Sequence, residues 1–134
     1  MKIAIRAATQ KDADNIKKLI KLFPKNLLQD HLPKAEDFFV ASLGADIVGC
    51  CALEIFYKEG ETNPRLAEIR SLSVHPSCQG KGVGSKLVRA CLKKAKKASV
   101  YEVFAFTDKL KFFEQFSIST FNGAKYAVFR VLGK

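Results

Sequence analysis

The segment Gln79-Gly80-Lys81-Gly82-Val83-Gly84 constrains this chain more than any other stretch. It stands between an apolar run that closes at Val74-His75-Pro76 and the repeat Val83, Leu87, Val88, Cys91, Ala95, which recurs at helical spacing. A strand, a glycine-rich turn and a helix are therefore expected in that order. Glycines at alternate positions let the backbone turn its N–H groups toward one point, where the new helix also presents unpaired N–H groups and its positive dipole end. Such a place attracts an anion, most naturally a phosphate. Lys81 and Lys86 add positive charge, and Gln79 can donate a further hydrogen bond. Two nucleotide motifs fail here. No Gly-Lys-Ser or Gly-Lys-Thr follows a glycine at the P-loop spacing, and in a GxGxxG frame the third glycine comes one position early.

The rest of the chain supplies the frame. Residues 2 to 7 alternate as an opening strand, and Thr9-Gln10-Lys11-Asp12 reads as a capping box before Ile16, Leu19, Ile20 and Phe23 at helical spacing. Pro24 opens a second helical stretch through Leu27 and Leu28. Residues 37–43 and 47–57 read as a hairpin around Gly44-Ala45-Asp46, and 66–74 as a third strand. A helix over 82–97, a strand over 101–106, a short helix over 109–116 and a closing strand over 125–132 complete the order. The sequence thus predicts βααβββαβαβ, an α/β (α+β) mixed sheet with flanking helices, as one domain over 1–134. The helix 82–97 then joins two parallel neighbours.

Several function classes are set aside. The 134 residues, 48% of them hydrophobic, can bury a core without staples. Cys50, Cys51, Cys78 and Cys91 show no CxxC spacing, and His31 and His75 have no neighbouring ligand, so buried free thiols are expected and no metal. No apolar run reaches the roughly eighteen residues a membrane span needs; the longest, Ile47 to Tyr57, is strand-sized and interrupted by Glu54. With no signal-peptide pattern at Met1, a cytoplasmic location is expected. The net charge of +10 favours anionic partners, but Lys17, Lys18, Lys93, Lys94, Lys96 and Lys97 fall on solvated helix faces without interleaved aromatic residues, which disfavours nucleic acid.

The glycine segment matches Q/R-x-x-G-x-G/A and resembles the pyrophosphate loop of the GNAT-type N-acetyltransferases. Leu66-Ala67-Glu68-Ile69-Arg70-Ser71-Leu72-Ser73-Val74 is similar to the fourth strand of that superfamily, and Phe112-Phe113-Glu114-Gln115-Phe116-Ser117 to its late segment. The resemblance implies an acetyl-CoA-dependent transferase acting on a primary amine, with the fourth and fifth strands splayed apart around the thioester. It implies that Leu72, Ser73 and Val74 pair with the pantetheine arm and that Gly80, Lys81, Gly82, Val83, Gly84 and Ser85, with Gln79, hold the pyrophosphate. Val74 N–H would polarise the carbonyl, and Glu68 would act as base. An ordinary ion pair of Glu68 with Arg70 is the competing reading.

Phe113 stands where a tyrosine is common in that family, and Ser117 where a glycine is, so the tyrosine general acid has no counterpart there. The central strand and the run Val103-Phe104-Ala105-Phe106-Thr107 look most similar to the acetyltransferase domain of short N-acetylglutamate synthases. That makes glutamate the first acceptor to consider, with Arg70 receiving a carboxylate unless a bulge in the strand turns it away. A protein N-terminus or lysine, and a CoA-binding module without transfer, are the alternatives. The family resemblance also admits a homodimer.

Overall fold

Apolar residues at i and i+2 on two neighbouring runs, joined by a glycine that can turn with positive φ, favour a hairpin. In the computed structural model, which describes residues 2–60, 62–120 and 127–132, these runs become β2 (Phe38–Leu43) and β3 (Asp46–Phe56), with Gly44 at φ 61 between them. Around them lie β1 (Ala4–Ala7), α1 (Ala13–Ile20), β4 (Leu66–Val74), α2 (Val83–Lys97), β5 (Glu102–Phe106), α3 (Leu110–Glu114), β6 (Ser119–Thr120) and β7 (Ala127–Val131). Short 3-10 turns occupy Gln10–Asp12, Ala35–Asp37 and Pro76–Cys78. The architecture is the mixed α/β one expected: β1–β2, β2–β3, β5–β7 and β6–β7 are antiparallel pairs, and β4–β5 is a parallel one.

The chain divides into two compact units, one of Met1–Ala52 with Ser71–Cys91 and the other of Leu53–Arg70 with Leu92–Lys134. In the first, β1 and β3 pair antiparallel on either side of β2, with a bulge between Ala41 and Ser42. Alternation sorts the side chains. Phe38, Val40, Cys50 and Ala52 join Ile16, Leu19 and Ile20 of α1 in one core. Ala41, Gly49 and Cys51 face α2 instead: a Cβ on Gly49 would lie 3.1 Å from both Leu87 and Val83, and the Cys91 thiol sits 3.7 Å from that of Cys51. Gly49 is therefore a glycine because the helix passes too close for a side chain. Neighbouring cysteines point to opposite faces of one strand, as a period of two requires.

In the second unit, β4 runs parallel to β5 over Leu66–Glu68 and Glu102–Phe104, while β7 pairs antiparallel with β5 and with β6. Val103 and Ala105 are fully buried on one face of β5. Phe104 and Phe106 occupy the other.

Three expectations change. The stretch after Pro24 is a pair of turns, with the N–H groups of Asn26 and Leu27 both bonded to Phe23 O, and no second helix forms. Pro24 leaves its neighbours too little amphipathic length to propagate a helix. The first helix ends at Ile20, and its start is set by Asp12, which accepts the Thr9 N–H at 2.8 Å as the capping pattern implies. The short β6 carries no pattern that two residues could reveal. Residues 125 and 126 of the expected closing strand lie outside the described residues.

Candidate active site

The glycine turn is built from both ends. At the strand end, His75 N–H donates to Val48 O at 2.7 Å, and buried Cys78 donates its N–H to His75 O at 2.8 Å, which anchors the 3-10 turn. The Gln79 side-chain amide donates to Val74 O at 2.9 Å. That bond ties the turn back onto the end of β4, a use of Gln79 that the motif alone did not reveal. At the helix end, Val83 is buried and Gly82 O accepts the Lys86 N–H at 3.1 Å, so Gly82 is the residue from which α2 starts.

Gly80 and Gly82 have φ of 78 and 82, a region that costs a side-chain-bearing residue energy, and a Cβ built on either would meet no atom within 4 Å. Open space over a backbone held at positive φ is what a close-approaching phosphate needs. The first-turn positions Val83, Gly84 and Ser85 supply N–H groups directed out of the helix end, and Lys81 and Lys86 are exposed beside them. Such an arrangement suits a phosphate group.

The last three residues of β4 lead into this turn. Leu72 and Val74 are half-buried, and Ser73 is buried with its hydroxyl 3.2 Å from the Cys50 thiol. The same thiol donates to Ser71 O at 3.4 Å. Burial pushes the Cys50 thiol up to about 12, so it remains a protonated donor and no catalytic cysteine.

In the second unit the carboxylate Glu68 is the last residue of β4 paired with β5, opposite Phe104. Burial, the largest influence, raises its pKa from the ordinary glutamate value; Arg70 opposes this and Glu54 adds to it. Arg70 donates from Nη1 to Glu54 Oε1 at 2.7 Å. Ser71, not Arg70, carries the left-handed φ of 57. The irregularity of the strand thus begins one residue later, and Arg70 keeps the face of Glu68, opposite buried Ala67 and Ile69. Phe56, Phe104 and Phe106 add an aromatic group, with centroids 6.3 Å apart for the first pair and 5.6 Å for the second. Glu54 is the residue that the motifs missed; its only signal was a lone acid interrupting an apolar strand.

Phe113 is buried and packs edge-on against Phe112 at 5.2 Å, so the position offers no hydroxyl. Ser117 adopts φ 60, the conformation for which a glycine is the usual choice. Tyr101 lies under the Arg65 guanidinium at the start of β5, and Tyr126 is outside the described residues. A cleft of about 720 Å³ there is lined by Arg65, Lys96 and Tyr101 among others. It sits at the N-terminal ends of β4 and β5, whereas ligands of parallel strands gather at the carboxyl ends. Among the described residues no cluster of three His, Cys, Asp or Glu could hold a metal, and no helix is long and apolar enough to cross a membrane.

Residues 5–116 match the model of the family described as Acetyltransferase (GNAT) family. An uncharacterized N-acetyltransferase of Chlorobaculum tepidum is 30% identical over 117 residues, 83% of this chain and 72% of that protein. An amino-acid acetyltransferase of Mycobacterium tuberculosis is 29% identical over 127 residues, 89% of this chain and 70% of that protein. Among solved structures, Mycobacterium tuberculosis Rv2747 in complex with CoA and NLQ superimposes with a TM-score of 0.77 at 29% identity, covering 90% of this chain and 74% of that one.

Proposed function

The chain belongs to the acetyltransferase (GNAT) family and is an acetyl-CoA-dependent N-acetyltransferase, and on that premise we propose that its acceptor is the α-amine of an amino acid, glutamate first. The observation that carries this reading is the likeness to an amino-acid acetyltransferase over 89% of the chain. The half-buried Glu68–Arg70 face supports it, because it offers one group for an amine proton and one for a carboxylate. A carboxylate arriving at Arg70 would have to compete with Glu54, which already accepts from Nη1.

Acetyl-CoA supplies the acetyl group as a thioester. For its transfer the acceptor amine must be neutral, and an ammonium ion has no lone pair to attack with. Glu68 takes a proton from the amine, directly or through water, and burial makes it a better acceptor than an exposed glutamate. The Val74 N–H, at the end of the same strand, is assigned the carbonyl oxygen. The N–C bond forms as the C–S bond breaks, and the departing thiolate takes a proton from solvent, since Phe113 cannot give one. Backbone N–H groups from Gly80 to Ser85, with Lys81 and Lys86 beside them, bind the pyrophosphate, and Leu72 to Val74 line the pantetheine.

CoA thiol release from acetyl-CoA tests this reading with L-glutamate, other amino acids, their amides, a polyamine, a peptide N-terminus and no acceptor. Glutamate-dependent release is the expected result. Preference for an amine without a carboxylate, or for a peptide, would refute the acceptor; binding of acetyl-CoA without any turnover would identify a CoA-binding module.

A further inference from the structure

Glu54 lies near the end of β3, after the apolar run Ile47 to Leu53, and its carboxylate is half-buried. It accepts from Arg70 at 2.7 Å, with side chains 34% and 18% exposed, so solvent weakens this ion pair only in part. Arg70 stands two residues beyond Glu68 on the same face of β4, and one guanidinium therefore has two carboxylates in reach. We infer that Glu54 is a positioning residue for the transfer: it draws the Arg70 guanidinium toward β3 and so leaves Glu68 able to accept the proton of the acceptor amine.

The physical reason is competition for a single cation. Were Glu54 neutral, the guanidinium would be drawn to the remaining carboxylate, and an Arg–carboxylate pair at Glu68 would favour its ionised form and weaken it as a base. Glu54 also acts directly, as a like charge that makes ionisation of Glu68 harder. Both effects have the same sign. Among the described residues, the charged groups acting on Glu68 are Arg70 from its own strand and Glu54 from β3, while β5 presents Phe104 opposite it. Sequence motifs do not reveal this role, since Glu54 stands outside them.

The inference rests on Glu68 being the base, and its test separates the two. Glutamate side-chain carboxyls are followed by NMR against pH in the wild type, Glu54→Gln, Glu54→Asp and Arg70→Gln, with the Glu68 signal assigned by its loss in Glu68→Gln. Glu54→Gln is expected to move the Glu68 titration to lower pH and Arg70→Gln to move it higher; Glu54→Asp, which keeps the charge, recovers most of the wild-type position. The acid limb of kcat/KM should follow in the same directions, with a several-fold loss of kcat at neutral pH for Glu54→Gln and the KM for acetyl-CoA unchanged. A merely structural Glu54 would lower stability and leave the titration where it was. A Glu68 titration that stays fixed or moves upward in Glu54→Gln overturns the inference without touching the choice of acceptor. Should Glu54→Gln not fold, a downward or absent shift in Arg70→Gln overturns it equally. Full turnover by Glu68→Gln would remove the base reading and this inference with it.

Discussion

Replacing Gly82 with alanine tests the anion site through backbone geometry alone. Gly82 holds φ 82 where α2 begins, and its missing Cβ would meet no protein atom within 4 Å, so the free protein pays no packing cost for the methyl group. What remains is the conformation itself, about 1–2 kcal/mol for an L-residue in the left-handed region. For a domain of this length that corresponds to a fall in Tm of roughly 4–7 °C. Two responses are open to the variant: keep the turn and project the methyl group into the space over the loop, or relax φ and redirect the first N–H groups of α2. Either response takes hydrogen bonds from a charged phosphate. A loss of at least about tenfold in CoA affinity, or about 1.4 kcal/mol, is therefore expected. Gly44 provides the control. It also has positive φ, at 61, and equal open space, but it turns the β2–β3 hairpin. Gly44→Ala should show a comparable thermal loss with unchanged CoA binding by calorimetry. If Gly82→Ala binds CoA as well as Gly44→Ala does, the turn is not the anion site.

Glu68→Gln should lower kcat by about 10²-fold or more with little change in the KM for acetyl-CoA. In the wild type, kcat/KM should fall as pH drops through the raised pKa of Glu68, and this limb should vanish in the variant. A carboxyl whose folded pKa is raised costs stability above its unfolded pKa, so Glu68→Gln should melt no lower than wild type at pH 7; a marked destabilisation would mean that burial does not disfavour the ionised Glu68. Asp12 is the opposite case. The Arg6 guanidinium, bonded at 2.8 and 2.9 Å, holds it down at about 2, so its contribution is complete above the unfolded value near 3.8 and is lost as pH falls through about 2. Asp12→Asn should cost roughly 1–2 kcal/mol in denaturant unfolding at pH 7, with the difference from wild type shrinking toward pH 2. All four thiols are buried and free, and a maleimide should label none in the native protein at pH 7 and all four after unfolding; rapid native labelling of Cys50 would refute its assignment as a buried donor.

Periodicity and turn chemistry were legible in the residues themselves. The hairpin around Gly44, the strand 66–74, the long helix and the intervening glycine turn all rest on interactions between near neighbours, which one sequence can display. The stretch after Pro24 was not legible, because a few apolar residues at helical spacing look alike whether they form a helix or merely pack turns against the core, as Phe23 and Leu27 do.

The sequence by itself determined that this chain makes a strand, a glycine turn and a helix in that order, and by resemblance the family to which the chain belongs. Tertiary structure decided which charges meet. Glu54 and Arg70 stand sixteen residues apart in the chain and become partners only when β3 and β4 bring them together, and the burial that makes Glu68 harder to ionise comes from the packing around it. Pairing between distant residues and loss of water are properties of the folded chain, since each depends on atoms that a linear pattern leaves far apart.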